Sequence, residues 1–341
     1  MVLAALVAMA VAMFCSRERK AFFSPYGDSW ITESGVVWTT EYHITYHSHD
    51  NNLGDSIQLI LSNLDKSVSP YNKASLISAL NNNTSTRVDA YLKRLFAASA
   101  IINRESGGAF DPTVMPLVNA WGFGYKDGAL PSRTQIDSIL QFVGMDKVSI
   151  HGDSLMKKDP RVMLDFSSIA KGLACDEIGR MFTRNGISDW LVEIGGEVAA
   201  SGVNKNGTPW QVSVDMPNEE VDGKVSHESA LTLSLNNATV ATSGNYRKWR
   251  AEEGNKLSHI IDPHTGESAI GTLLSVTVIA DECMHADAWA TACMVLGDSA
   301  TRAMMQHRDD LGVMTITADT ISGSLIVWSN RTFANQITTS R

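Results

Sequence analysis

The chain is poor in cysteine and proline, and it lacks any block of one charge sign. Its four cysteines, Cys15, Cys175, Cys283 and Cys293, share no metal-binding spacing and imply no disulfide framework. Cys175 and Cys293 fall in helical patterns and are expected in the core. Lys and Arg number 28 against 37 Asp and Glu, a net charge of −9 with the signs interspersed. That balance argues against nucleic acid as a partner. A Gly-x4-Gly-Lys-Ser/Thr phosphate loop is missing, as are internal repeats and low-complexity segments. An apolar run does exist at Val2–Phe14, but it is too short to span a bilayer comfortably. It suits a signal-peptide core, and it ends at Cys15, where a bacterial lipoprotein would be acylated. The reading is an exported protein, tethered at the periplasmic face of the inner membrane through residues 15–35. No Lys or Arg precedes the run and Phe14 is bulky, so an uncleaved anchor or a misplaced start are the alternatives.

What is present can bury a large core. Apolar residues make up 44% of 341, enough for one large or two ordinary domains. Residues 17 to about 36 carry no pattern and read as linker. Tyr42, Ile44 and Tyr46 alternate as a strand, and Leu53, Ile57, Ile60 and Leu64 fall at helical spacing. Val88 to Ile102 is a second amphipathic helix, with Thr86 and Asp89 as a capping pair. Val162–Leu164 reads as a strand entering a helix that runs through Phe182, with Ser167 and Ser168 as cap candidates. Short β-runs follow at Trp190–Glu197, Trp210–Asp215, Ala230–Leu235, Ala238–Tyr246 and Leu274–Ile279, with a hairpin around Ser322–Gly323. Strands in series beside helices predict an α+β fold with a largely antiparallel sheet.

Four stretches carry chemistry. Ser258-His-Ile-Ile-Asp-Pro-His-Thr-Gly266 sets His259, Asp262 and His264 on a turn broken by Pro263 and Gly266. Asp287 and Thr291 are four apart, hence on one helix face, and offer two oxygens to a hard cation such as Mg²⁺ or Ca²⁺. Taken alone, Asp287 reads more readily as a first-turn acid favoured by the helix dipole than as a ligand. Lys171, in a first helical turn, opposes that dipole, so its position suits contact with a phosphate or carboxylate. Gly107–Gly124, rich in glycine and aromatics, suits a loop shaped against a planar ligand or an ordinary apolar loop.

Six segments in this order resemble the ApbE family of FAD:protein FMN transferases. They are Phe110-Asp-Pro-Thr-Val-Met-Pro-Leu117 with Trp121-Gly-Phe-Gly124, Leu164-Asp-Phe-Ser-Ser-Ile-Ala-Lys-Gly172 and Val192-Glu-Ile-Gly-Gly-Glu197. The others are Ala241-Thr-Ser-Gly-Asn-Tyr246, Ser258-His-Ile-Ile-Asp-Pro263 with Thr265-Gly266, and Ala286-Asp-Ala-Trp-Ala-Thr291. The resemblance covers roughly Gly35 to the C-terminus and implies a T-fold-like architecture over residues 36–341. It implies an enzyme that takes FAD as substrate with Mg²⁺, transfers FMN to a Thr or Ser of an acceptor protein, and releases AMP. By the same resemblance Asp287 and Thr291 are metal ligands, joined by backbone oxygens of Ser168 and Ala290. Trp38, Tyr71, Ala109, Phe110, Asp111, Lys171, His259 and Ile261 are cofactor-binding positions. His259 is the base, with Asp262 as its catalytic companion. The acceptor would be a subunit of an exported redox complex, such as a Na⁺-pumping NADH:quinone reductase or an RNF-type system.

The family's Met-Gly-Thr is Trp38-Thr39-Thr40 here, and Ser167-Ser168 stand where it carries a small, Gly-rich pair. Both bear on cofactor geometry. Rival readings are an FAD pyrophosphatase using water, a flavin-holding lipoprotein, and a metal-dependent hydrolase with His259, Asp262 and His264 as ligands.

Overall fold

Tyr42, Ile44 and Tyr46 do alternate inward from one strand, and all three are buried. The computed structural model describes residues 18–23, 29–48, 53–124, 130–217, 229–245, 249–252, 255–269 and 271–337. The expectations for Val2–Phe14, Cys15 and Tyr246 lie outside these residues. In chain order the strands are β1 (Glu18–Phe23), β2 (Ser29–Val37), β3 (Thr40–Ser48), β4 (Val148–His151), β5 (Ser154–Lys157), β6 (Trp190–Ile194), β7 (Glu197–Ser201), β8 (Trp210–Asp215), β9 (Ser229–Leu235), β10 (Ala238–Gly244), β11 (Trp249–Glu252), β12 (Asn255–Ser258), β13 (Leu273–Ala280), β14 (Gly312–Ala318) and β15 (Leu325–Ser329).

Nine of them form one sheet in the order β1-β2-β3-β6-β7-β10-β13-β14-β15, every neighbouring pair antiparallel. The rest pair as the hairpins β4–β5, β8–β9 and β11–β12. Alternate residues of a strand face opposite sides, and the core divides accordingly. Ala199, Val276, Val278 and Val313 point into the main cluster, under the helices Leu53–Val68, Ala90–Glu105, Ala170–Arg184 and Cys283–Met305. Val198, Ala200, Ile279, Met314 and Ile316 point the other way, against the β8–β9 hairpin and Phe333. The expected α+β class, largely antiparallel and flanked by helices, is the observed one. A third cluster, with Leu117, Trp121, Ile136 and Leu257, lies beneath the Gly107–Gly124 stretch.

Several local expectations need correction. Of the stretch from 17 to about 36 read as linker, residues 18–23 form β1 and residues 29–36 lie in β2, which pairs with β1 on one side and with β3 through all nine positions on the other, burying Ile31 and Glu33. Asp89 alone caps the Ala90–Glu105 helix, accepting from the Leu92 amide; its partner in that cap is not Thr86. Val162–Leu164 makes only an isolated bridge at Met163 to Val114, since Asn81 takes both polar groups of Leu164. Ser167 turns back to Asp165, and the helix that follows begins at Ala170 after Ile169 with no side-chain cap. The helix bearing Asp287 starts at Cys283, which moves Asp287 out of the first turn and removes the dipole explanation for it. Among the described residues no helix is long and apolar enough to cross a membrane.

Candidate active site

Two helices meet at Gly172. A Cβ on that residue would lie 2.4 Å from the Cys283 carbonyl oxygen and 2.5 Å from the Met284 Cα, so a side chain would force the backbones apart. One turn further, Asp176 accepts from the Cys283 amide at 2.8 Å and the Met284 amide at 3.0 Å. It thereby caps, across the interface, a helix whose own N-cap residue makes no side-chain bond. The crossing brings Lys171 and Asp287 together. The Gly172 amide donates to Asp287 Oδ2 at 3.2 Å, and Lys171 Nζ lies 3.9 Å from Asp287 Oδ1. Nearer still, at 2.7 Å, is Glu197 Oε1. Glu197 enters from the β6–β7 turn, where Gly195 and Gly196 take φ of 63° and 100°, a left-handed pair suited to a two-residue hairpin. Thr291, one turn beyond Asp287, has its hydroxyl 3.2 Å from that of Ser243 on β10.

This cluster sets two carboxylates against one ammonium. The Glu197 and Asp287 side chains are only 5% and 3% exposed. Burial, against the pull of Lys171, pushes Glu197 up to about 8, and it pushes Asp287 up as well. For Lys171 burial acts downward, but the Asp287 and Glu197 charges outweigh it and hold the ammonium above its ordinary value. Glu197 Oε2 is buried with no hydrogen-bond partner, a costly state for a carboxylate oxygen. Two buried carboxyl groups beside one ammonium, with one carboxyl oxygen unmet, fit a cation. The donors are carboxylate and hydroxyl oxygens, the set that suits Mg²⁺ or Ca²⁺. Among the described residues no three His, Cys, Asp or Glu side chains are grouped to hold a metal. Ser168 precedes the Lys171 helix by two residues, and Ala290 is fully buried within the turn joining Asp287 to Thr291, so both would serve through backbone oxygens.

The remaining candidates lie on loops that are tied to one another. Trp38 donates its indole N–H to Asp65 Oδ1 at 3.2 Å, and Asn72 donates to Asp65 Oδ2 at 2.7 Å, which links Trp38 to the turn bearing Tyr71. Tyr71 is 64% exposed, free to meet a ligand, and the partial shielding of its hydroxyl, with the nearby Asp165, raises its pKa. The Asp165 amide in turn bonds the Pro112 carbonyl at 2.7 Å. Ala109 and Phe110 are buried in the protein, so their backbone and not their side chains could touch a ligand. Asp111 is spent on holding the loop: it accepts from the Thr113 amide and hydroxyl within it and from the Met145 amide outside it. Ile261 likewise points into the third core cluster.

His259 follows β12 and is half-buried, its ring edge-on to Phe123 at 6.4 Å between centroids. Asp262 is engaged by its own turn, accepting from the His264 amide at 2.9 Å and the Thr265 hydroxyl at 3.0 Å. His264 reaches the Gly107 carbonyl at 3.1 Å. Asp262 therefore shapes the turn that presents His259, and the three do not converge as transition-metal ligands. Sequence reasoning passed over Glu197, Asp165, Asp65 and Asp176. Only Glu197 had a signal, a lone acid after Gly-Gly at the head of an apolar strand.

The ApbE family matches residues 38–315 of this chain. The chain belongs to the ApbE family. Similar relatives include the FAD:protein FMN transferases of Vibrio cholerae serotype O1, 32% identical over 84% of this chain and 87% of that protein, and of Escherichia coli K12, 33% identical over 84% and 82%. Among solved structures, the flavin transferase ApbE from Vibrio cholerae superposes with a TM-score of 0.78 at 28% identity, covering 94% of this chain and 100% of that one. The flavinyl transferase ApbE of Pseudomonas stutzeri, in its apo form, gives 0.79 at 28% identity, covering 96% and 99%.

Proposed function

We propose that this chain is a Mg²⁺-dependent FAD:protein FMN transferase. It moves FMN from FAD to a Thr or Ser hydroxyl of an acceptor protein and releases AMP. The observation that carries this reading is the buried Lys171–Glu197–Asp287 cluster, at the start of a helix, in a fold shared with flavin transferases. Transfer breaks the pyrophosphate bond between the FMN phosphorus and the bridging oxygen. A phosphoester forms to the acceptor oxygen, and the electron pair of the broken bond leaves with AMP. Lys171 meets the pyrophosphate charge. Tyr71 packs on the isoalloxazine, with Trp38 and the backbone of Ala109 and Phe110 lining its site. His259 accepts the proton of the incoming hydroxyl. Asp287 and Thr291, with backbone oxygens of Ser168 and Ala290, would hold the Mg²⁺ ion. When bound, such an ion neutralises charge on the phosphoryl oxygens.

The test is to mix the protein with FAD and Mg²⁺, with and without an acceptor domain, and separate the flavins by thin-layer chromatography. A transferase labels the acceptor. A pyrophosphatase frees FMN without one, and a flavin-holding protein does neither. Asp287→Ala should abolish labelling while thermal unfolding shows the fold intact. Normal labelling by that variant in the presence of chelator would remove the cation from the reaction. The same proposal places the protein at the periplasmic face, acylated at Cys15, with subunits of an exported redox complex as acceptors. Mass spectrometry of the mature N-terminus decides the anchoring.

A further inference from the structure

Two side chains in the helix crossing have no part in the chemistry proposed above. Cys175 and Cys283 are fully buried, and both are free thiols. They lie far apart in sequence, but the crossing puts them side by side. Gly172, Cys175 and Asp176 stand at i, i+3 and i+4, hence on one face of their helix. The outer two of these both touch the Cys283 backbone. A Cβ on Gly172 would lie 2.4 Å from the Cys283 carbonyl oxygen, and Asp176 accepts from the Cys283 amide at 2.8 Å. The sulfurs then turn to neighbouring points of one strand. Cys175 donates its S–H to the Glu197 carbonyl at 3.4 Å, and Cys283 donates to the Val198 carbonyl at 3.5 Å, consecutive positions of β7. Each thiol also feels the other directly.

We propose that Cys175 and Cys283 are a redox pair, joined as a disulfide when the chain meets a disulfide oxidant, and that the bond locks the crossing of the two helices. Cys175 lies one turn beyond Lys171, and Cys283 lies one turn before Asp287. The tether therefore sits one turn from the point where Lys171 and Asp287 face each other.

The bond forms in two exchanges. One cysteine, as thiolate, attacks a sulfur of the oxidant R–S–S–R, makes a mixed disulfide and expels R–S⁻. The second thiolate attacks the protein sulfur of that mixed disulfide, closes the Cys175–Cys283 bond and expels the other R–S⁻. The two protein thiols lose two electrons to the oxidant, and their two protons end on the R–SH products. Burial pushes both thiols up, Cys283 well above its ordinary value, so thiolate is scarce while the helices are packed. Exchange therefore belongs to folding or to opening of the crossing, and a bond once closed is shielded from reductant. The two carbonyls of β7 lose only weak donors when it forms.

The test refolds the full chain in a glutathione redox buffer and, separately, in excess dithiothreitol. Both samples are then alkylated in denaturant and mapped by peptide mass spectrometry. The oxidised sample should yield a linked Cys175–Cys283 peptide, with Cys293 alkylated in both. The linked protein should melt about 5 °C or more above the reduced one, because the bond closes a loop of roughly 100 residues. Hydrogen exchange of the Gly172, Cys283 and Met284 amides should slow with it. Cys175→Ala with Cys283→Ala should melt at one temperature in both buffers. Where refolding fails, folded protein held with oxidised glutathione below its denaturant midpoint gives a second route to the same peptide. Cys175 and Cys283 both alkylated after oxidation would overturn the pairing, as would a link from either to Cys15 or Cys293 instead. A linked protein that melts at or below the reduced one would overturn the locking of the crossing.

Discussion

At the scale of single residues, His259 separates chemistry from binding. Its place after β12, on a turn shaped by Asp262, suits a group that acts on an incoming hydroxyl and contributes little to holding FAD. His259→Ala should therefore retain FAD and lose a factor of ~10² to 10⁴ in transfer rate, the usual worth of a general base. Wild-type single-turnover rates should rise with pH as the base gives up its proton, and His259→Ala should lose that dependence. A variant that lost FAD affinity or thermal stability, with a normal rate at saturating FAD, would make His259 a turn residue only. Trp38 and Thr39 raise a different point. They form the β2–β3 turn with φ of 49° and 63°, left-handed values that a bulky and a β-branched residue adopt at a cost. The chain thus holds the backbone path that glycine would permit, even though the glycine of the family's pattern is missing. Thr39→Gly should stabilise the protein by about 1 kcal/mol, read as a higher denaturant midpoint, because the strain at this position is of that order.

At the scale of elements, the site depends on how closely the Ala170–Arg184 and Cys283–Met305 helices approach. Gly172 permits the contact, and Asp176 fastens it through the Cys283 and Met284 amides. Burial, the largest influence, raises Asp176 to about 7 against those two amide bonds. The folded protein therefore holds this proton between ~4, the ordinary value for Asp, and about 7, while the unfolded chain has released it. Over that window the native state binds more protons, so stability falls as pH rises. Equilibrium unfolding from pH 4 to 7.5 should show this decline, and Asp176→Asn should flatten it. A slope unchanged in that variant would mean that other groups titrate there. Loops also act as elements here. The contacts from Asp165 to Pro112, His264 to Gly107 and Trp121 to Gly266 join the stretches around residues 110, 165 and 262 into one rim.

At the scale of the whole molecule, the nine-stranded sheet is the frame from which both helices and the Glu197 turn are hung. Its N-terminal edge begins earlier than hydrophobic patterning suggests. β2 pairs with β3 along its full length and buries Ser29, Ile31 and Glu33. A truncation starting at residue 36 should therefore expose the β3 edge and yield insoluble protein, while one starting at residue 18 stays soluble; solubility and circular dichroism of the two decide. Equal behaviour of both would show that β2 is dispensable.

Much was legible in the sequence because it is local. Period-two and helical patterning located the strands from Trp190 to Ile279 and the long helices, and motif order marked the stretches around Asp287, Lys171 and His259. Caps and edges were harder to read, since Asp89 without Thr86, or a strand where residues 29–35 lack clear alternation, depends on partners far along the chain. The tertiary structure alone decided that Glu197 and Lys171 meet at 2.7 Å, that Asp111 ties its loop to the Met145 amide, that Asp262 is spent within its own turn, and that Asp176 caps a helix 107 residues away. The physical reason is that sequence patterning reports which face of an element is apolar, whereas the partner of a buried charge is set by which elements cross. Here the crossing is set by Gly172, whose missing side chain lets two backbones touch.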